Sequence, residues 1–245
     1  MSGHSKWSTI KRKKEKTDSA RAKIFTKIGR EIFVAVKSGG ADPANNSKLR
    51  DLIAKSKANN VPNDNIERII KKAAGDGNKN DYETIIYEGY GPEGIALIVE
   101  TLTDNRNRTA SNVRHYFDKF GGKLGTTGCV AFMFEQKGVI HIDGTSLDED
   151  KVMNDCIELG VDDFEFEDGL ISITTAPVDF SKVREDLEEK GYEFLSAQVE
   201  MLPDTMVALK DEDSKTKMSR LLCALEEDDD IQEVWHNLEN VEELN

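Results

Sequence analysis

Residues 75–81 (GDGNKND) contain no apolar side chain, and the spacing of apolar residues changes across them. Before this stretch they recur every three to four positions: Ile24, Ile28, Ile32 and Val36, then Leu49, Leu52 and Ile53, then Ile66, Ile69, Ile70 and Ala73. After it, short alternating or continuous apolar runs stand between glycine-containing turns. A helix repeats every 3.6 residues and a strand every two, so neither pattern can be folded as the other. The chain must therefore join a helical part to a later part that contains sheets.

The charge divides at the same place. Residues 1–75 hold 18 Lys/Arg and 7 Asp/Glu, a net of +11, whereas the remaining residues hold 15 and 40, a net of −25. A basic segment on an acidic body is the electrostatic signature of a polyanion-binding arm. Clustered cations release counterions from a phosphate backbone, and an acidic body is repelled by the same backbone, so one end should lead the approach. The competing reading is a solvated helical face that is merely basic.

The cations expected to contact nucleic acid are Lys6, Lys11, Arg12, Lys13, Lys14, Arg21, Lys23, Lys27 and Arg30. Trp7 joins them, either stacking on a base or folding back as an anchor on the helical domain. A first helix is predicted over 18–37, ended by Gly39 and Gly40, with Ala20 at the start of its apolar stripe. A second covers 46–58. A third starts at Asn63 or Asp64, where Glu67 completes a capping-box spacing with Asp64. Those two acidic residues sit where a recognition helix would meet base edges, which argues against base-specific reading by this pair. Contact with the phosphate backbone or with duplex shape is expected instead.

Beyond residue 81 the pattern predicts strands over 84–88, 95–101 and 129–134, with a helix from Asp104 or Asn105 to Phe120. It then restarts: strand 139–142, helix 147–159, a hairpin through 164–174, helix 180–190 and strand 192–201. That order is β-α-β-β-α-β, a ferredoxin-like split unit. A strand at 206–209, a helix at 214–225 and a strand at 231–235 are too few to fold alone, and are expected to complete the earlier sheet. The fold class is α+β with three domains. These are an N-terminal all-helical domain (1–75), a discontinuous α/β middle domain (82–136 plus 204–245) and an inserted ferredoxin-like domain (137–203). The acidic run 226–230 is expected to be a solvated loop and not a metal site.

Chemistry is sparse. There is no GxSxG, HExxH, P-loop or GxGxxG motif. His4, His115, His141 and His236 are scattered, and Cys129, Cys156 and Cys223 form no CxxC pair, so no catalytic residue, metal site or cofactor is expected. Arg106 and Arg108 flank a helix N-terminus in TDNRNRT. They could hold a phosphate there, or serve capping and internal ion pairs. The GYGPEG loop at 89–94 could approach a ligand closely or be a plain tight turn. No apolar run is long enough to span a membrane, and the basic start has no apolar signal core. A reducing, intracellular compartment is expected from the cysteines, and the chain is expected to be a monomer.

Several longer stretches carry a resemblance: GHSKW (3–7), KIFTKIGREI (23–32), VPNDNIERIIKKA (61–73), YEGYGPEGIALIVETLTDNRNRTASNVRH (87–115) and GCVAFMFE (128–135). On these the chain resembles the YebC/PmpR family along its full length. The resemblance implies a cytoplasmic, three-domain, non-enzymatic protein of a family usually described as DNA-binding transcriptional regulators. It also implies an alternative, because the family includes the translational activator of mitochondrially encoded cytochrome c oxidase subunit I. Some members are seen as ribosome-associated factors that bind rRNA and relieve stalling at proline-rich stretches. DNA or ribosomal RNA, with the ribosome itself, are thus the expected partners.

Overall fold

The computed structural model describes residues 18–75 and 82–244, with side chains from Lys23 onward in the first helix. The sequence expectations for Lys6, Trp7, Lys11, Arg12, Lys13 and Lys14 lie outside the described residues, as does the side chain of Arg21. By contact, the described residues divide into two units. One comprises residues 35–74 and 136–201; the other comprises residues 18–34, 82–135 and 202–244. No helix among the described residues is long and apolar enough to cross a membrane.

The first unit holds helices α2 (Ser47–Ala58) and α3 (Asn63–Gly75), and the last turn of α1 (Asp18–Gly39). Asn46 caps α2: its Oδ1 accepts from the Leu49 N–H at 3.0 Å, while its Nδ2 donates to the carbonyls of Ala35 and Gly40. One asparagine thus ends α1 and starts α2. Helix α3 begins at Asn63, directly after Pro62, so Asp64 lies within its first turn and is not the capping residue expected. It still complements the helix dipole there.

The same unit contains β4 (Phe134–Asp143), α5 (Glu149–Leu159), β5 (Asp163–Glu167), β6 (Leu170–Thr175), α6 (Phe180–Glu189) and β7 (Phe194–Pro203). Its sheet order is β5-β6-β4-β7, the ferredoxin-like arrangement. β5 and β6 form a hairpin about Asp168 and Gly169, whose φ values of 52° and 82° meet the two positive angles of a tight two-residue turn. Ile140, Ile142, Ile171 and Ile173 from the sheet bury against Val152 and Cys156 of α5 and Val183 and Leu187 of α6. Arg184, only 3% exposed, pairs with Asp51 of α2 at 3.0 Å and with Glu188 at 2.8 Å.

In the second unit β1 (Glu83–Tyr90) and β2 (Ala96–Thr103) pair antiparallel, from Glu83↔Thr103 to Tyr90↔Ala96. β3 (Lys123–Leu124) joins the β1 edge and β8 (Ile231–His236) the β2 edge, giving the order β3-β1-β2-β8. The GYGPEG stretch is a tight turn: the Gly91 N–H donates to Ile95 O at 2.7 Å, and Glu93 and Gly94 take φ of 53° and 81°. Helices α4 (Arg106–Lys119) and α7 (Glu212–Glu227) cover one face. Val113, Phe117, Met218, Leu221 and Leu225 are fully buried against Leu97, Val99 and Ile231. Each such side chain contributes roughly 1.5–3 kcal/mol.

Two expected strands are absent, for a shared reason. Residues 129–134 fold as a loop and a short turn at Ala131–Met133, and β4 starts only at Phe134. The N–H groups of Gly128, Val130 and Ala131 donate to the Glu88 carboxylate at 2.6–2.9 Å and are lost to any ladder. Residues 206–209 make only a single parallel bridge, Val207 to Leu238. The Asn240 amide takes both the N–H and the C=O of Leu209, each at 2.9 Å.

Candidate nucleic-acid interface

Lys23, Lys27 and Arg30 lie at i, i+4 and i+7 on α1, so they form one cationic row. The structure brings that row onto the C-terminal end of α7 and the residues that follow it. Lys23 Nζ donates to Glu227 O at 3.3 Å, Lys27 Nζ to Glu226 O at 2.9 Å, and Arg30 Nη1 to Asp229 O at 2.7 Å. These carbonyls belong to the C-terminal end of α7 and the residues just past it, where unpaired carbonyls and the negative end of the helix dipole favour cations. Arg30 is held further by Asp230 Oδ1 at 2.9 Å, and its guanidinium lies 5.6 Å from the centre of the Tyr82 ring.

Asp230 is the hub. It is 4% exposed, and its Oδ2 accepts from Arg108 Nη2 at 2.6 Å, Thr109 Oγ1 at 2.8 Å and Thr103 Oγ1 at 3.2 Å. Burial alone would raise its pKa, but bonds from Arg108, Thr109 and Arg30 outweigh it and hold the carboxyl below the usual range. Asp228 accepts from Asn112 Nδ2 and Tyr116 Oη, both at 3.1 Å. Burial first, and the Asp228 charge second, push the Tyr116 hydroxyl up to about 12. An open cleft of about 420 Å³ lies beside these groups, bordered by Arg30, Arg108, Asn112 and Asp228.

This corrects the expectation of a solvated acidic run. Glu226, Glu227 and Asp229 are exposed, but Asp230 is the buried anchor that joins α1, α4 and β8. It also settles the geometry of Arg108, whose guanidinium is engaged by Asp230 and by Asp104 at 2.9 Å. Asn105 caps α4 by accepting the Arg108 N–H at 3.1 Å. Arg106 stands exposed at the start of α4. Other exposed cations gather on the helices before the linker: Lys48 and Lys57 on α2, and Arg68, Lys71 and Lys72 on α3.

Sequence reasoning missed Glu88 and Asp230. Each is a carboxylate adjoining apolar strand residues, Glu88 inside β1 and Asp230 immediately before β8, and that placement is the available signal. Glu88 is 4% exposed and accepts three backbone N–H groups, which outweigh the effect of burial and lower its pKa.

Comparison with known proteins accounts for nearly the whole chain. A family model described as the TACO1/YebC N-terminal domain matches residues 5–76, and one described as the TACO1/YebC second and third domain matches residues 82–238. A protein of Acetivibrio thermocellus named probable transcriptional regulatory protein is 58% identical over 238 residues, covering 97% of this chain and 98% of the relative. One of the same name from Finegoldia magna is 56% identical over 240 residues, covering 98% and 100%. The crystal structure of a conserved hypothetical protein from Aquifex aeolicus superposes with a TM-score of 0.82 at 43% identity, covering 91% of this chain and 92% of that one.

Proposed function

The chain belongs to the TACO1/YebC family, and on that premise we propose that it is a non-enzymatic cytoplasmic regulator that acts by binding nucleic acid, with duplex DNA as its target. The observation that carries this reading is the division of charge, +11 over residues 1–75 against −25 over the rest. The names of its relatives as probable transcriptional regulatory proteins support the regulatory role. The exposed cations of α2 and α3, Lys48, Lys57, Arg68, Lys71 and Lys72, support it, being open to solvent. Asp64 and Glu67 near the start of α3 oppose base-edge reading by that helix, so backbone and duplex shape supply most of the affinity.

The test is fluorescence anisotropy of the full chain with random-sequence duplex DNA across a salt series, alongside co-sedimentation with purified ribosomes. Steeply salt-dependent duplex binding, with no ribosome pelleting at physiological salt, is the expected outcome. Ribosome pelleting with no duplex binding would replace DNA by ribosomal RNA as the target.

A further inference from the structure

The row Lys23, Lys27 and Arg30 is expected to meet phosphate, yet in this structure each member is occupied by oxygens of the chain itself. Four of the acceptors that serve the row are the carbonyls of Glu227, Glu226 and Asp229, and one carboxylate oxygen of Asp230. The four are not equivalent. Asp230 is buried and knitted to β2 and α4 by Thr103, Arg108 and Thr109, and Asp228 is held by Asn112 and Tyr116, whereas Glu226, Glu227 and Asp229 are exposed. Lys23 Nζ reaches the Glu227 carbonyl at 3.3 Å and Lys27 Nζ the Glu226 carbonyl at 2.9 Å.

We propose that the end of α7 at Glu226 and Glu227 is an internal phosphate surrogate that covers Lys23 and Lys27, and that nucleic acid docks by displacing it from these two lysines while Arg30 stays anchored to Asp229 and Asp230. The inference rests on the nucleic-acid reading above and adds its regulation. A phosphate oxygen carries a negative charge that a backbone carbonyl lacks, so an ammonium gains Coulomb attraction when it exchanges one for the other, and the exchange favours a polyanion. The exposed carboxylates of the same helix end repel isolated small anions equally with the backbone, but only a polyanion makes enough contacts at once to offset that repulsion. The cover thus restricts the row to extended, densely charged ligands. Salt weakens the docked state more than the covered one, because only docking carries the counterion term.

The experiment locks the cover. In the full chain carrying Cys129→Ser and Cys223→Ser, Lys27→Cys and Glu226→Cys are joined by a short bismaleimide. The control is the same protein with both thiols capped singly by N-methylmaleimide. The probe is a random 20-base-pair DNA duplex, followed by anisotropy across a salt series, and circular dichroism verifies that both forms are folded. The locked form should bind at least about tenfold more weakly at low salt. Its plot of log K against log salt should be shallower, by about 1 for the withheld Lys23 contact. Duplex added before the linker should also lower the yield of cross-link. Equal affinity and equal slope in the two forms, with cross-linking indifferent to duplex, would overturn the cover and leave the nucleic-acid reading standing. Absence of duplex binding in both forms and in the unmodified chain would remove both.

Discussion

Asp230 Oδ2 lies 2.6 Å from Arg108 Nη2, and the other oxygen of the same carboxylate takes Arg30 at 2.9 Å. One buried charge thereby ties the start of α4 to α1. Replacing it by a neutral amide leaves both guanidinium groups facing a donor-bearing side chain and removes an acceptor from Thr103 and Thr109. Asp230→Asn should lower the unfolding free energy by about 2–3 kcal/mol. That is less than for a fully buried pair, because Arg108 keeps 47% of its side chain exposed. Urea denaturation of the full chain measures this directly.

Three of the depressed carboxyls illustrate the pH dependence. Asp230 and Glu88 are lowered as described. Asp155 is lowered by the hydrogen bond from Lys190 first and from Tyr192 second. A carboxyl whose pKa is lower in the folded state contributes stability that is complete above its unfolded value, about 4, and is lost as pH falls through the folded value. The urea midpoint should therefore owe nothing to these groups' titration between pH 6 and 7, and should fall below about pH 4. The Asp230→Asn protein should show a smaller acid drop over the same window.

Glu88 accepts from Gly128, Val130 and Ala131 at 2.6–2.9 Å. Glu88→Gln offers one carbonyl oxygen where a carboxylate offered two, so at least one of the three N–H groups loses its partner. A loss of about 1–3 kcal/mol is expected. Hydrogen exchange should localise it to residues 128–131, with the β1–β2 hairpin still protected.

Asn240 pairs with Leu209 through both amide groups at 2.9 Å. Asn240→Ala should cost about 2 kcal/mol through two unpaired backbone groups, while Asn240→Asp should fail to rescue it because the carboxylate cannot donate to the Leu209 carbonyl. Thermal unfolding of the two variants checks the order.

These last two residues also explain which parts of the fold could be read from sequence. The helices were legible because their signals are local. Ile28, Ile32 and Val36 recur at helical spacing and are buried, and Asn46 and Asn105 stand at the caps they form. The ferredoxin-like order was legible because each element carries its own period and its own turn, such as Asp168-Gly169. The strands expected at 129–134 and 206–209 failed because side chains distant in sequence, Glu88 and Asn240, claim their backbone groups. No local pattern reports that. Of the candidate site, the cationic row on α1 was legible as a period of charge. Its partner was not, because the run Glu226 to Asp230 reads as uniformly polar although its last member is buried beside Ile231.

The central claim is that the leading third carries the molecule onto phosphate while the acidic remainder stays away. Its most direct test is the salt dependence of duplex binding by the full chain with Lys11, Arg12, Lys13 and Lys14 all changed to Gln. At about 0.9 released counterions per lost phosphate contact, the log–log slope should become shallower by about 3.6, with affinity at low salt falling at least about a hundredfold. An unchanged slope and affinity, on DNA and on ribosomes alike, would contradict the account.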